Sequence, residues 1–176
     1  MDAMQDLVER LPYEEISVAD IAQQATINRA TFYAHFEDKS HLVESMIREG
    51  LEQAVLGRIS HPAPFDGASL KLVAEATIEF LGSVLRPCER QASRFFSTFG
   101  PTVQETLERC FMEWIKHDPT ARRRLRATPE ALSNALAWSI YGAAVGWCRL
   151  AKRPDIGKTA EETVRIFLPA LENSAR

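Results

Sequence analysis

The fold is indicated most clearly by residues 16–47, ISVADIAQQATINRATFYAHFEDKSHLVESMI. Ser17 is followed three residues later by Asp20, which is close to a capping box and predicts the start of a helix. Asn28 is a second capping residue and predicts a further helix of about eight residues. The pattern therefore predicts two short helices joined by a three-residue turn at 26–28, followed by a long helix over about 40–59.

The aromatic residues of the second short helix divide by face. Phe32 and Phe36 are four residues apart, so they share a face and are predicted to pack into the core. Tyr33 lies on another face and is predicted to be exposed. Ala22 is small enough for a helix crossing, and Ile27 is predicted to fill the turn. This is the plan of a helix-turn-helix motif, whose second helix has the size of a DNA major groove.

The remainder of the chain also shows helical spacing, with no sustained alternation of the kind that strands have. A first helix is predicted to end near Arg10. The segment SHPAPFDG (60–67) cannot continue a helix and is the clearest boundary. Beyond it we predict helices near 68–86, 88–98, 101–117, 129–152 and 158–173, with Pro169 shortening or kinking the last. The fold class predicted is all-α, with a three-helix helix-turn-helix DNA-binding domain over 1–58 and a helical effector-binding and dimerisation domain over 59–176.

Composition excludes several classes of protein. The net charge is −3, and the first 50 residues hold ten acidic against four basic side chains, so a basic DNA footprint is missing there. Three cysteines without a CxxC pattern indicate a reducing cytosol. The most apolar run, Ala135–Cys148, is shorter than the roughly 20 residues that span a bilayer. No secretory signal is recognised at residues 1–15, so we expect a cytoplasmic protein without a membrane partner.

No catalytic or metal-binding pattern stands out. Nucleophile-elbow, P-loop and dinucleotide motifs are missing, so we predict no enzyme activity and no cofactor. His35 and His41 are six residues apart across a helix break, which argues against a metal site. The basic run at 122–126 is interpreted as a solvated connector rather than a nucleic-acid patch.

With these residues in view, the segment 14–55 resembles the DNA-binding domain of the TetR/AcrR transcriptional regulators. The shared features are a Ser-capped helix, a short turn, an aromatic-rich helix ending Y-x-x-F, and a Lys that begins the next helix. The resemblance implies that bases would be contacted early in the recognition helix and phosphates around it. The residues to which it assigns DNA contacts are Ser17, Asn28, Arg29, Ala30, Thr31, Tyr33, His35 and Lys39.

This chain departs from that family pattern at two places. The family often has Gly where Thr26 stands, and a β-branched residue there would cost on the order of 1 kcal/mol at positive φ. We therefore expect a slightly different turn. The family's first helix is usually longer and is preceded by a basic arm, so the match begins near the middle of that helix.

The C-terminal half carries many large apolar residues at helical spacing, which can enclose a ligand cavity. The candidate pocket residues are Phe95, Phe99, Cys110, Phe111, Trp114, Trp138 and Tyr141. Small residues and an apolar stripe in the last two helices predict a four-helix dimer interface, as the resemblance also implies. Its candidate residues are Gly142, Gly146, Trp147, Val164, Phe167, Leu168 and Leu171.

The predicted function is a ligand-responsive transcriptional regulator, a repressor, that binds a palindrome-like double-stranded operator as a homodimer and responds to a small apolar or aromatic effector. The alternative is a helical protein that binds small molecules or partners and has lost DNA binding. The acidic N-terminal balance supports that alternative.

Overall fold

The computed structural model describes residues 2–59, 63–85, 92–118, 120, 121, 125 and 127–171, without the side chains of 92–94 and 170. Over these residues the chain is helical and has no strand, which confirms the all-α prediction. A 3-10 turn at Tyr13–Glu15 follows the first helix. The helices are α1 (Asp2–Val8), α2 (Val18–Gln24), α3 (Arg29–His35), α4 (Lys39–Leu56), α5 (Gly67–Leu85), α6 (Ala92–His117), α7 (Pro129–Arg149), α8 (Ile156–Arg165) and α9 (Leu168–Leu171).

The first three helices form a small unit around a shared apolar centre. Helix α1 packs on α2, and α2 packs on α3. Met4, Ile21 and Phe32 supply buried side chains from the three helices, each no more than 3% exposed. Their burial fixes the angle at which α3 leaves the turn, because each helix has only one apolar face to cover.

Helix α4 connects this unit with the C-terminal helices. Its apolar row, which includes Ile47, Leu51 and Val55, is buried, and the helix packs against both α5 and α6. The boundary predicted at residues 58–59 stays a prediction, and Ser60–Pro62 lie outside the described residues. A movement of α4 would therefore shift the N-terminal helices relative to the C-terminal helices.

Helix α6 corrects one prediction. The two helices expected at 88–98 and 101–117 are a single helix, Ala92–His117, which contains Pro101. Proline lacks an N–H and disfavours a helix interior, but α6 packs against α4 and α7, and this tertiary packing outweighs the local preference. Gly100 is needed there, because a Cβ would collide with the Tyr141 hydroxyl of α7. Residues 86–91, with the start of the predicted helix, lie outside the described residues.

The helices at the C-terminal end follow the local signals. Thr128 caps α7, accepting a hydrogen bond from Ala131 N, and Pro129 occupies the first helical turn as predicted. The last predicted helix is divided into α8 and α9, with Pro169 in the short second part. The predicted shortening by Pro169 is confirmed. The basic run at Arg122–Arg124 and Arg126 lies outside the described residues.

Candidate nucleic-acid interface

Two side-chain caps define the helix-turn-helix. Ser17 Oγ accepts from Asp20 N at 3.2 Å while Asp20 Oδ2 accepts from Ser17 N at 2.8 Å, so the capping box is complete. Asn28 Oδ1 accepts from Thr31 N at 2.8 Å and caps α3. Both predicted caps are confirmed. They satisfy backbone donors that would otherwise be unpaired at the helix starts.

The turn keeps a positive φ at a β-branched residue. Thr26 has φ 55°, in the left-handed region, so the expectation of a different turn was wrong. The backbone of Thr26 keeps this strained conformation, and Ile27 N donates to Ala22 O at 2.9 Å across the turn. Ala22 is buried as predicted, whereas Ile27 is 40% exposed and does not fill the turn. The plug role is therefore corrected, and the buried apolar side chain of this part of the motif is Phe32, which is 2% exposed.

Helix α3 presents one row of side chains and buries another. Phe32 is buried and its ring lies 5.6 Å from that of Phe36, which packs half-buried against the core. Tyr33 is 56% exposed, with its ring edge-on to Phe32 at 5.5 Å. The positions to which the resemblance assigns DNA contacts on α3 and at its cap are all exposed: Asn28, Arg29, Ala30, Thr31, Tyr33 and His35. One side of α3 therefore packs on the core, and the opposite side is exposed to solvent.

Two hydroxyls that were predicted to contact DNA already have partners. Ser17 Oγ donates to Asp20 Oδ2 at 2.6 Å, and Thr31 Oγ1 donates to Asn28 Oδ1 at 3.1 Å. A hydroxyl has a single donor hydrogen. To donate to a phosphate, either hydroxyl would therefore have to turn its hydrogen away from its present acceptor, Asp20 Oδ2 or Asn28 Oδ1. The methyl group of Thr31 stays available for an apolar contact, and the DNA roles of both residues stay predictions.

Lys39 holds the motif together at its base. Its Nζ donates to three backbone carbonyls, Tyr13 O at 2.7 Å, Ile16 O at 2.7 Å and Glu14 O at 3.2 Å. The ammonium also lies 4.4 Å from the centre of the Tyr13 ring, within cation–π range. An ammonium has three donors, and these contacts use all of them. The structure therefore gives Lys39 a bracing role, while its phosphate contact stays a prediction.

The electrostatics near α3 favour local order over attraction of an anion. Hydrogen bonds from the Ser17 side chain and backbone, with the nearby charge of Arg29, hold the pKa of Asp20 below its ordinary value. Asp20 is therefore ionised at neutral pH, and it lies near enough to Arg29 for the two charges to interact. Arg29 is the cation placed on the exposed row, with this carboxylate near it.

The predicted pocket residues do not share one cavity. One cavity, of about 510 Å³, includes Phe95 and Phe99 in its lining. A second, of about 670 Å³, is lined by Cys110, Phe111 and Trp114 among others. Burial raises the pKa of the Cys110 thiol to about 11, so this group is neutral at physiological pH.

The two remaining pocket candidates lie outside both of these cavities. Trp138 is 57% exposed on the outer side of α7, which corrects its assignment to a pocket. Tyr141 is half-buried and donates to Phe96 O at 3.3 Å. Spacing alone did not distinguish the inner from the outer row of α7, because apolar residues occupy both.

The predicted dimer residues also separate into two groups. Val164 and Leu171 are 3% and 4% exposed within a single chain, so they have no surface to offer a partner. Trp147 is half-buried, with Nε1 donating to Pro154 O at 2.9 Å and the Arg153 guanidinium 5.1 Å from its ring.

Phe167 and Leu168 pack half-buried against the core. The assignment of Val164 and Leu171 to the dimer interface is therefore corrected. Both side chains pack within the chain, where α8 lies against α5.

An exposed row on α7 agrees with the other part of that prediction. Gly142 and Gly146 are exposed, and a Cβ added at either would meet no atom within 4 Å. Ala135 and Trp138 are exposed on the same row, spaced three and four residues apart. We call these four residues the α7 outer row. Their use in a dimer stays a prediction.

The sequence reasoning did not identify Tyr13 as part of the motif. Its ring packs edge-on against Phe99 at 5.6 Å, and its hydroxyl lies 3.0 Å from Ser40 Oγ. Burial is the largest influence on its phenol and raises the pKa of Tyr13. A signal was present in the sequence, because Pro12 followed by Tyr13 lies outside the predicted helices and an aromatic residue in a connection needs a packing partner.

In the part of the chain that the structure describes, the helices lack the combined length and apolar character that a bilayer crossing requires.

Comparison with known proteins agrees with this geometry. Residues 2–46 match the family model described as bacterial regulatory proteins, tetR family. A curated relative in Bacillus subtilis (strain 168), the uncharacterized HTH-type transcriptional regulator YxbF, is 35% identical over 49 residues. That segment is 28% of this chain and 13% of the relative, so the chain matches only a small part of that protein's length.

Two solved structures share the fold over nearly the whole chain. The dihydroxyacetone kinase operon activator DhaS has a TM-score of 0.64 and 16% identity, covering 97% of this chain and 92% of its own. The TetR family repressor AlkX from Dietzia sp. strain DQ12-45-1b has a TM-score of 0.60 and 20% identity, covering 97% and 91%. Residues 2–46 therefore carry the sequence pattern of the tetR family of bacterial regulatory proteins, and the fold is shared with DhaS and AlkX along nearly the whole chain.

Proposed function

We propose that the protein is a cytoplasmic transcriptional regulator that binds double-stranded DNA as a homodimer. The observation that carries the proposal is the division of α3 into a buried row under Phe32 and an exposed row that includes Arg29 and Tyr33. A short, capped helix with one side packed on the core and the other side exposed has the size and the free surface needed to enter a DNA major groove.

The exposed row supplies two kinds of contact. Arg29, the first residue of α3, can reach the O6 and N7 acceptors of a guanine through its two parallel donors. Tyr33 lies one turn further on, and its exposed phenol can donate to a phosphate without a change in the helix. Base preference is therefore expected to depend on Arg29, and general affinity on Tyr33.

The dimer contact that we propose is the α7 outer row, residues 135, 138, 142 and 146. Two glycines with open space above them allow close approach of a second helix, and Trp138 offers a large apolar side chain that is 57% exposed. A two-fold dimer would place the two α3 helices about 34–36 Å apart, one DNA turn, on an inverted repeat.

Response to a small apolar or aromatic effector is part of the same proposal, and two cavities support it. An effector can change DNA affinity only by binding differently to the two forms of the protein. DhaS is named an operon activator and AlkX a repressor, so a shared fold serves both signs of regulation. Repression by this chain stays a prediction, and a promoter fusion assayed with and without the protein would measure its sign.

The test of the proposed function is selection from random double-stranded DNA at two salt concentrations. We expect an inverted repeat to be enriched. Arg29→Ala should weaken binding to the selected site by about 1–3 kcal/mol and relax the preference at one position of each half-site. Tyr33→Phe should weaken binding to all sequences alike, because only a phosphate contact is lost.

Arg165→Ala is the matched control. Arg165 is exposed on α8, far along the chain from α3, and pairs with Glu161 at 3.0 Å. Its removal should leave DNA affinity unchanged. If no inverted repeat is enriched, and Arg29→Ala binds DNA as the unchanged protein does, the helical partner-binding alternative replaces this proposal.

A further inference from the structure

A cavity lies where the N-terminal helices meet the start of α6. Its volume is about 510 Å³, within the range of small-molecule sites. One wall comes from residues 4–14 and α4, and the other from the end of α5 and the first turns of α6. A molecule in this cavity would contact both halves of the chain at once.

The lining combines an apolar floor with acidic groups. Met4, Ile47 and Phe99 are each no more than 3% exposed and line the floor. Among the described residues that line the cavity, the charged ones are Glu9 and Glu14. An apolar floor with carboxylates favours a molecule that carries an apolar body and a cationic end.

Tyr13 connects this cavity to the DNA-reading helix. Its ring forms part of the lining and packs against Phe99 at 5.6 Å. Its hydroxyl lies 3.0 Å from Ser40 Oγ, and its carbonyl accepts from Lys39 Nζ at 2.7 Å. Lys39 and Ser40 are the first two residues of α4, four and five positions beyond the last residue of α3. A ligand that displaces the Tyr13 ring therefore acts on the base of α3.

We propose that this interdomain cavity is a regulatory site for an apolar or aromatic cation, and that its occupancy changes α3 through Tyr13 and Lys39. The binding part stands by itself, and the regulatory part rests on the proposed function. The site differs from the set predicted from sequence, because its walls include α1 and the 3-10 turn and only Phe95 and Phe99 of that set.

The binding test uses two dyes in the absence of DNA, rhodamine 6G as the aromatic cation and 1-anilinonaphthalene-8-sulfonate as the anion. Titration with the full chain should show saturable binding of one rhodamine 6G per chain, at least tenfold tighter than the anion. Thr98→Trp, at an exposed lining position, should weaken rhodamine binding at least tenfold, and Glu9→Gln several-fold. Ser83→Trp, on the α5 part of the same wall, serves if Thr98→Trp does not fold.

Glu113→Gln is the matched control, because Glu113 lines the second cavity. It should leave rhodamine affinity unchanged. Lack of saturable binding, equal affinity for the anion, or affinities that neither tryptophan variant changes would each overturn the proposed site.

The coupling test is amide hydrogen exchange over residues 29–42, again without DNA. Saturation with rhodamine 6G should change exchange rates in α3 at least threefold. Lys39→Met should lose this response while still binding the dye, because Lys39 does not line the cavity. An unchanged α3, or the same response in Lys39→Met, would refute the coupling. If DNA selection fails but the dye results hold, the proposed function is wrong and the site stands.

Discussion

Replacing Lys39 by methionine tests the brace at the base of the motif. Methionine keeps most of the apolar stem and removes the ammonium that joins Tyr13 O, Glu14 O and Ile16 O. Two of the three hydrogen bonds are partly buried, and the third is exposed, where water can replace it. At roughly 1–1.5 kcal/mol for each partly buried bond, the free energy of unfolding should fall by about 2–3 kcal/mol.

The assay is urea unfolding followed by circular dichroism at one fixed chain concentration, since dimerisation would make stability depend on concentration. Lys116→Met is the control. Lys116 is exposed at the end of α6 and lies 3.5 Å from Glu113, a surface pair of the kind that contributes about 0–1 kcal/mol. The two lysine variants should therefore differ by at least about 1 kcal/mol.

Equal, small losses in both variants would refute the bracing role. A further outcome separates bracing from phosphate contact. If Lys39→Met keeps its stability but loses DNA affinity, the ammonium acts on the DNA backbone and the contacts with the 3-10 turn contribute little. If stability falls while DNA affinity at full folding is retained, bracing is its main contribution.

Three other changes have defined outcomes. Thr26→Gly should raise the free energy of unfolding by about 0.5–1 kcal/mol, because φ 55° suits glycine; a loss of stability in urea would contradict the strain. The pKa of Asp118 is affected first by burial, which raises it, but hydrogen bonds from Phe65, Thr120 and Ala121 bring it down to about 2. The carboxylate of Asp118 should therefore stabilise the fold fully above pH 3.8, and this stabilisation should be lost as the pH falls through 2. Asp118→Asn should lower the free energy of unfolding by about 1 kcal/mol at pH 7 and by little at pH 2, as measured by thermal unfolding. DNA affinity should fall only about 15- to 250-fold between 50 and 200 mM salt, because Arg29 is the one Lys or Arg within α3, and a loss beyond about 1,000-fold would show a larger basic footprint.

The N-terminal motif could be predicted because its signals are local. Ser17 and Asn28 cap helices through backbone groups three residues away, so the sequence contains both partners of each contact. The division of α3 into rows follows from the helical period in the same way, and Phe32 and Tyr33 lie where that period places them.

The predictions that failed depend on contacts between distant segments. Pro101 signals a helix break by itself, yet α4 and α7 hold α6 continuous around it. Trp138 and Val164 both belong to apolar helical stripes, and only the packing of α7 and α8 on α5 shows that the first is outside and the second inside. Residue type and period predict that a helix has a buried side, but where two sides are apolar they do not choose between them.

Lys39 shows how a local motif can conceal a long-range role. The family resemblance explains a lysine at the start of α4 by a phosphate contact, and nothing in the sequence points instead to carbonyls 23–26 residues earlier. The structure joins that lysine to Tyr13, and Tyr13 to Phe99 of α6. Lys39, at the start of α4, thus ties the helix-turn-helix to the C-terminal helices through Tyr13. In the proposed coupling, stability of the motif and communication between the two halves depend on the same side chain, so a substitution that weakens one is expected to weaken the other.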